Sequence, residues 1–250
     1  MILLKLGGSV ITNKGRALSA RRKAIDSMVK SLKKIRDPMI VVHGGGSYGH
    51  YWSVKYDMHT KPSRYDLRGV SVVKNSMIEL DRIILDSMLK NGLKPYPVPP
   101  AGFMNGDRPA AGKIRELEKI AGSGLIPVTY GDALWHGQKK SYILSGDRIM
   151  THVAGVLRPR LTVFALNVDG VYSDLRSKKL ISEIRGEKVR VSDVRTDVTG
   201  GMGRKIEEAA KISNLGLRVF FANGNRPERI ANAVSKNRFE GTLFRGRRHG

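Results

Sequence analysis

The chain has 250 residues, 45 Lys and Arg against 22 Asp and Glu, a formal net charge of +23 and no cysteine. The lack of cysteine excludes disulfides and thiolate metal sites, and no run of about 18 apolar residues is present to cross a bilayer as a helix. The content of 40% apolar and 27% charged residues is that of an ordinary globular protein. The length suits one large domain or two closely packed lobes. The start runs into a strand without the layout of a signal peptide, so the expectation is a cytoplasmic protein.

Ile2 to Leu6 reads as a strand, and Gly7, Gly8 and Ser9 follow at once, with Lys5 just before the turn and Lys14 just beyond. A helix is predicted from Ser19 to Ile35. Ser19 can cap it, Ile25, Met28, Val29 and Leu32 lie on one face, and Asp37-Pro38 is its stop. Met39 to His43 is a second strand. It leads into HGGGSYGH, His43 to His50, in which four of eight residues are glycine. Such a run can turn sharply and offer backbone N–H groups to an anion, or it can be a glycine-rich turn without a ligand. Tyr51 to Arg68 reads as an irregular loop, and a long helix follows from about Gly69 to Lys90, ended by Asn91-Gly92.

Beyond it come a short strand, Tyr96 to Val98, a helix, Ile114 to Ala121, and strands at Leu125 to Tyr130 and Tyr142 to Leu144. A helix is predicted from Asp147 to Leu157, an apolar strand from Leu161 to Val168, a helix from Met202 to Asn214 and a strand from Leu217 to Ala222. Arg226-Pro227 opens a last short helix, and Gly241 to Phe244 reads as an edge strand. NGDRP at Asn105 and NGNRP at Asn223 read as two turns before helix starts. This alternation predicts an α/β fold with an open, mainly parallel central sheet sandwiched between helices. Two strands ending in glycine turns suit the edge of such a sheet where ligands bind. Neither turn is a P-loop or a dinucleotide fingerprint.

The charge would attract a polyanion, with nucleic acid the obvious candidate. Yet the basic residues are spread along the chain, with no RNP motif, Cys/His finger or aromatic-interleaved stripe. A basic surface on an enzyme that handles phosphorylated substrates fits this pattern better. A nucleic-acid-binding protein on an enzyme scaffold is the alternative from another class.

Five segments in order are KLGGSVITNK at Lys5, HGGGSYGH at His43, SGDRI at Ser145, NVDGVYSD at Asn167 and DVTGGMGRK at Asp197. Together they resemble the amino acid kinase superfamily, over nearly the whole chain. The histidine closing the second loop and NGNRPERI narrow the match to its archaeal-type isopentenyl phosphate kinases. The resemblance implies one amino acid kinase-like αβα domain over 1–250. Its N-terminal lobe, to about 158, would take the acceptor, and its C-terminal lobe, about 159–250, the nucleotide. It also implies a homodimer, with ATP and Mg²⁺ as cofactors and isopentenyl phosphate as acceptor, in the isoprenoid supply of a variant mevalonate pathway.

By the same resemblance, Lys5, Lys14 and Lys205 neutralise the moving phosphoryl group and the nucleotide phosphates. Gly7, Gly8, Ser9 and Gly201, with Thr199, Gly200 and Gly203 beside the last, hold those phosphates, and Gly46 lies near the nucleotide. Asp169, Gly170 and Tyr172 lie beside the nucleoside. Gly44, Gly45 and Gly131 line the acceptor site, and His50 hydrogen-bonds the acceptor phosphate. Asp147 either caps its helix or holds the lysines, and the two roles are compatible. Two positions depart from the family pattern, where Arg148 and Asn167 each stand in place of an aspartate. Mg²⁺ binds mainly through phosphates and water, so no metal ligand is assigned, and His43, His59, His136 and His152 lack metal-ligand spacing. Val73, Met77, Leu80, Ile84 and Met88 fit core packing, and a subset could line a slot for a five-carbon tail. A same-fold kinase for another phosphate or phosphonate, such as fosfomycin, shares both loops and the histidine.

Overall fold

The computed structural model describes residues 1–13, 15–174, 176–185 and 201–246. The first half runs β1 (Ile2–Leu6), α1 (Gly8–Ile11), α2 (Arg22–Leu32), β2 (Met39–His43), α3 (Gly46–Lys55), α4 (Leu67–Lys90), β3 (Pro95–Pro97) and a 3-10 turn (Pro100–Gly102). Then come β4 (Met104–Asn105), β5 (Arg108–Pro109), α5 (Ala111–Gly122), β6 (Ile126–Tyr130), β7 (Asp132–Gly137), β8 (Lys140–Leu144) and α6 (Gly146–Leu157). The rest is β9 (Leu161–Leu166), β10 (Tyr172–Asp174), β11 (Lys179–Leu180), β12 (Glu183–Arg185), α7 (Gly201–Asn214), β13 (Arg218–Asn223), α8 (Glu228–Lys236) and β14 (Gly241–Arg245).

Eight strands form one sheet in the order β12-β14-β13-β9-β1-β2-β6-β3. From β13 to β3 every pairing is parallel, and β14 alone runs antiparallel to its neighbour β13. Every residue of β1, β2, β6 and β9 is buried, as a parallel sheet covered on both faces requires. Side-chain alternation sorts the core. Ile2, Leu4 and Leu6 pack with α2, α4 and α8, while Leu3 faces the layer of α5, α6 and α7. This is the predicted sandwich. The carboxyl ends of β1, β2, β6, β9 and β13 meet along one edge, each followed by a turn: Gly7, Gly44, Gly131, Asn167 and Gly224.

Several boundaries differ from the sequence reading. Helix α2 starts at Arg22, and Ser19 is not its cap, because Ser19 N donates to Ser47 Oγ (3.2 Å) and pins the first glycine region to the second. Gly46 to Lys55 is helix α3, so HGGGSYGH runs into a helix and only the stretch after it is loop. Helix α4 starts at Leu67, capped by the Asp66 carboxylate accepting from Arg68 N at 3.0 Å. The hairpin β7–β8 was legible only in its second strand. β14 is not an edge strand, since the short β12 adds outside it. Among the described residues no helix is long and apolar enough to cross a membrane.

Candidate active site

Lys5 is the second-last residue of β1, and its alternation points it into the layer that α6 covers. It is 4% exposed. Its ammonium reaches Asp147 Oδ1 at 2.5 Å, at the start of α6, and lies 5.9 Å from the Phe164 ring centre. The other Asp147 oxygen stands 3.8 Å from Lys205 Nζ, which also donates to Gly201 O at 2.8 Å. One carboxylate thus faces two ammonium groups brought by three elements. Burial would raise the Asp147 carboxyl, but the Lys5 and Lys205 charges, the Lys5 hydrogen bond and Arg204 outweigh it and hold the group below its usual range. Asp147 is not the cap of α6. Ser145 Oγ is, accepting from Arg148 N at 3.2 Å.

The two glycine turns pack backbone against backbone. A Cβ on Gly8 would stand 2.4 Å from Gly46 N, and one on Gly44 would stand 2.9 Å from Gly8 N. Gly46 has φ +47°, and a Cβ there would meet Thr12 Oγ1 at 2.0 Å. Thr12 in turn links α1 and α3, accepting from Ser47 N at 3.0 Å. Some of the expected donors are already engaged. The N–H of Gly7 donates to Ala165 O, that of Gly44 to Leu6 O, and that of Gly131 to His43 O, at 3.0, 2.9 and 3.2 Å. These bonds extend the parallel ladder into the turns. The N–H groups of Gly8, Ser9, Gly46 and Ser47 belong to first turns of helices, where no partner exists within the helix. Ser47 has found Thr12, and the Ser9 hydroxyl donates to Asn167 Oδ1 at 3.1 Å.

On the acceptor side of the sequence reading, Gly45 sits over α4, where a Cβ would lie 3.0 Å from Met77 Sδ. Gly131 follows β6 and lies close to Gly146, its Cβ position 2.9 Å from Gly146 N. His50 is exposed, on α3 one turn past the glycines. It is not part of the lysine–aspartate cluster. His43 is buried, stacks on Tyr130 at 5.3 Å and contacts Asp81 Oδ1 at 3.1 Å. Val73, Met77, Leu80, Ile84 and Met88 are all core residues.

At the other flank, Asp169 accepts from Arg229 Nη1 (2.6 Å) and Asn223 Nδ2 (3.0 Å). The Asn223 bond first, then the Arg229 and Arg226 charges acting against partial burial, keep its carboxyl below the usual range. Gly170 is buried against Thr242, and Tyr172 is half-buried in the β10–β11 hairpin. Lys14, Thr199 and Gly200 lie outside the described residues. The same geometry exposes residues that the sequence did not announce. Lys74 reaches the fully buried Asp132 carboxylate at 2.5 Å, next to Gly131, and Arg21 binds the carbonyls of the first glycine turn. Only the Gly131-Asp132 pairing at a strand end hinted at the first of these. Among the described residues no three His, Cys, Asp or Glu side chains group to hold a metal ion.

Comparison with known proteins identifies the family and the fold. Residues 1–223 match the model of the amino acid kinase family. An isopentenyl phosphate kinase of Thermoplasma acidophilum is 36% identical over 98% of this chain and all of that protein. Its counterpart from Methanothermobacter thermautotrophicus is 29% identical over 99% of this chain and all of that one. A solved product complex of the Thermoplasma acidophilum enzyme superimposes with a TM-score of 0.81, at 35% identity, over 98% of this chain and all of that chain. The chain therefore belongs to the amino acid kinase family, in its isopentenyl phosphate kinase branch.

Proposed function

We propose that the chain transfers the γ-phosphoryl group of ATP to the phosphate of isopentenyl phosphate, giving isopentenyl diphosphate and ADP. The observation that carries this reading is the pair of ammonium groups, Lys5 and Lys205, held by one carboxylate beside two interlocked glycine turns. Phosphoryl transfer needs positioning and positive charge more than covalent chemistry. The donor set suits ATP phosphates: two lysines, the first-turn N–H groups of α1, and Gly201 at the start of α7. Bound ATP with Mg²⁺ would supply the phosphoryl group and the leaving ADP.

Within this reading Lys5 and Lys205 neutralise the equatorial oxygens of the moving group. Both Asp147 oxygens face lysines, so Asp147 orients them and takes no proton from the acceptor. A phosphate acceptor is already an anion and needs no general base. His50 binds that phosphate beside Gly45 and Gly131, while Gly46 and Ser9 serve the nucleotide side. Asp169 supports the nucleoside loop through Arg229, with Gly170 and Tyr172 in that loop. Lys14 completes the positive surround. The residues to about 158 form the acceptor half and the remainder the nucleotide half, in a cytoplasmic homodimer.

A coupled ADP-release assay over isopentenyl phosphate, dimethylallyl phosphate, geranyl phosphate, fosfomycin and uridylate tests the reading. Isopentenyl phosphate should give the highest kcat/KM. Background rates with it, alongside turnover of another acceptor, would overturn the assignment.

A further inference from the structure

Asn225, in the NGNRP turn at the end of β13, has no part in the chemistry above, yet it closes a ring of side-chain contacts around the nucleotide flank. Arg21, at the N-cap of α2, donates from Nη1 to Val10 O and to Asn225 Oδ1, both at 3.1 Å, with Ser9 O at 3.5 Å. Asn225 N donates to Asn223 Oδ1 at 2.9 Å, and Asn223 Nδ2 to Asp169 Oδ1 at 3.0 Å. The ring returns through the loop after β9, where Asn167 Oδ1 accepts from Ser9 Oγ at 3.1 Å. Backbone contact tightens it. Gly224 N donates to Leu166 O at 2.6 Å, and a Cβ on Gly224 would stand 2.7 Å from Val10 Cγ1.

We infer that Arg21 and Asn225 are positioning residues that fix the first glycine turn against the Asp169 loop, so that the nucleotide meets both in register. The inference rests on the proposed nucleotide role of those two segments. Neither residue contacts the Lys5–Asp147–Lys205 cluster. Their effect passes through the turn that carries Gly8 and Ser9 and through Asn223 to Asp169. Arginine suits the task because its planar guanidinium can serve several oxygens at once, where a lysine offers a point charge. A ring closed through β1, β9 and β13 also spans the crevice between β1 and β9, where the chain switches direction across the sheet.

The test is the ATP dissociation constant, measured by calorimetry without acceptor on Arg21→Met, Asn225→Ala, the double variant and Asn225→Asp, each with a thermal melt. Each single truncation should weaken ATP binding about tenfold, the scale of one charge-assisted hydrogen bond. The double variant should lose no more than the worse single one, because both cut the same ring. Asn225→Asp keeps the acceptor oxygen and should restore binding to within about twofold of wild type. The KM for isopentenyl phosphate should stay unchanged. Unaltered ATP affinity in Asn225→Ala, or additive losses in the double variant, would overturn the inference. Asn225 is exposed, so its variant decides the matter even where Arg21→Met fails to fold. Wild-type protein that does not bind ATP would overturn the functional reading itself, a different outcome from a wild-type affinity that Asn225→Ala leaves intact.

Discussion

Lys5 and His50 flank the two glycine-rich segments, yet the protein treats them in opposite ways. Lys5 is buried, ion-paired and fixed from the opposite side of the layer by α6. His50 stands exposed on α3. The cluster proposed as the reaction centre is already ion-paired in the folded chain, whereas the residue proposed to grip the acceptor is left to solvent. On the proposed reading, pre-organisation is concentrated where charge would move in the transition state, and the acceptor side keeps an open approach.

The sharpest way to break that contrast is Lys5→Ala. It should lower kcat about 100- to 1,000-fold, the scale of removing one transition-state electrostatic partner. It should also cost roughly 1–3 kcal/mol of stability, because Asp147 would lose its hydrogen-bonded partner and keep only Lys205 at 3.8 Å. Steady-state kinetics with a denaturant titration reads both, and a fall in kcat under tenfold would remove Lys5 from the centre. Next comes Gly46→Ala, which places a Cβ against Thr12 Oγ1 and Gly8 O at a positive φ. The expected loss is about 2–4 kcal/mol, seen as a lower melting temperature with both KM values raised.

Asp147→Asn sharpens the comparison through pH. The folded protein holds this carboxyl below its ordinary value of 3.8, so the native state favours the carboxylate. That stabilisation is complete above 3.8 and lost as pH falls through the lower folded value. The variant should therefore be less stable than wild type at neutral pH, and the gap should close in melts taken at the acid end. A gap independent of pH would show that the carboxylate charge contributes nothing. The smallest effect on stability belongs to His50→Ala. It should raise the KM for isopentenyl phosphate about tenfold and change stability by less than about 0.5 kcal/mol. Wild-type rates at subsaturating acceptor would remove His50 from the grip.

The central strands of the sheet were legible because they are short, mostly apolar runs ended by glycine or asparagine turns, a pattern that period and punctuation reveal. The lysine cluster was legible in parts. Lys5, Asp147 and Lys205 sit at strand and helix ends that the sequence marks, but their convergence is 142 residues apart for the first pair and is set by strand order. Helix α3 was missed because its outward face carries Tyr51, Val54 and Lys55 without a clean apolar stripe. Ser19 was misread as a cap because a serine before an amphipathic run has that meaning locally, while its tertiary partner Ser47 lies in another segment. Arg21 had no signal in the sequence, and Lys74 had none in its own segment, only the Gly131-Asp132 strand end that supplies its partner. Each looks like one more surface cation until the fold brings a carbonyl or a buried carboxylate to it.

The backbone contact between Gly8 and Gly46 has a consequence for anyone who would redesign this protein. A library that varies Gly8 while holding Gly44 and Gly46 constant, or the reverse, samples little that is viable, because a side chain added at any of these three meets the main chain of the other turn. Productive variants have to be paired across the two segments, so changes of donor and of acceptor preference are expected to arise together.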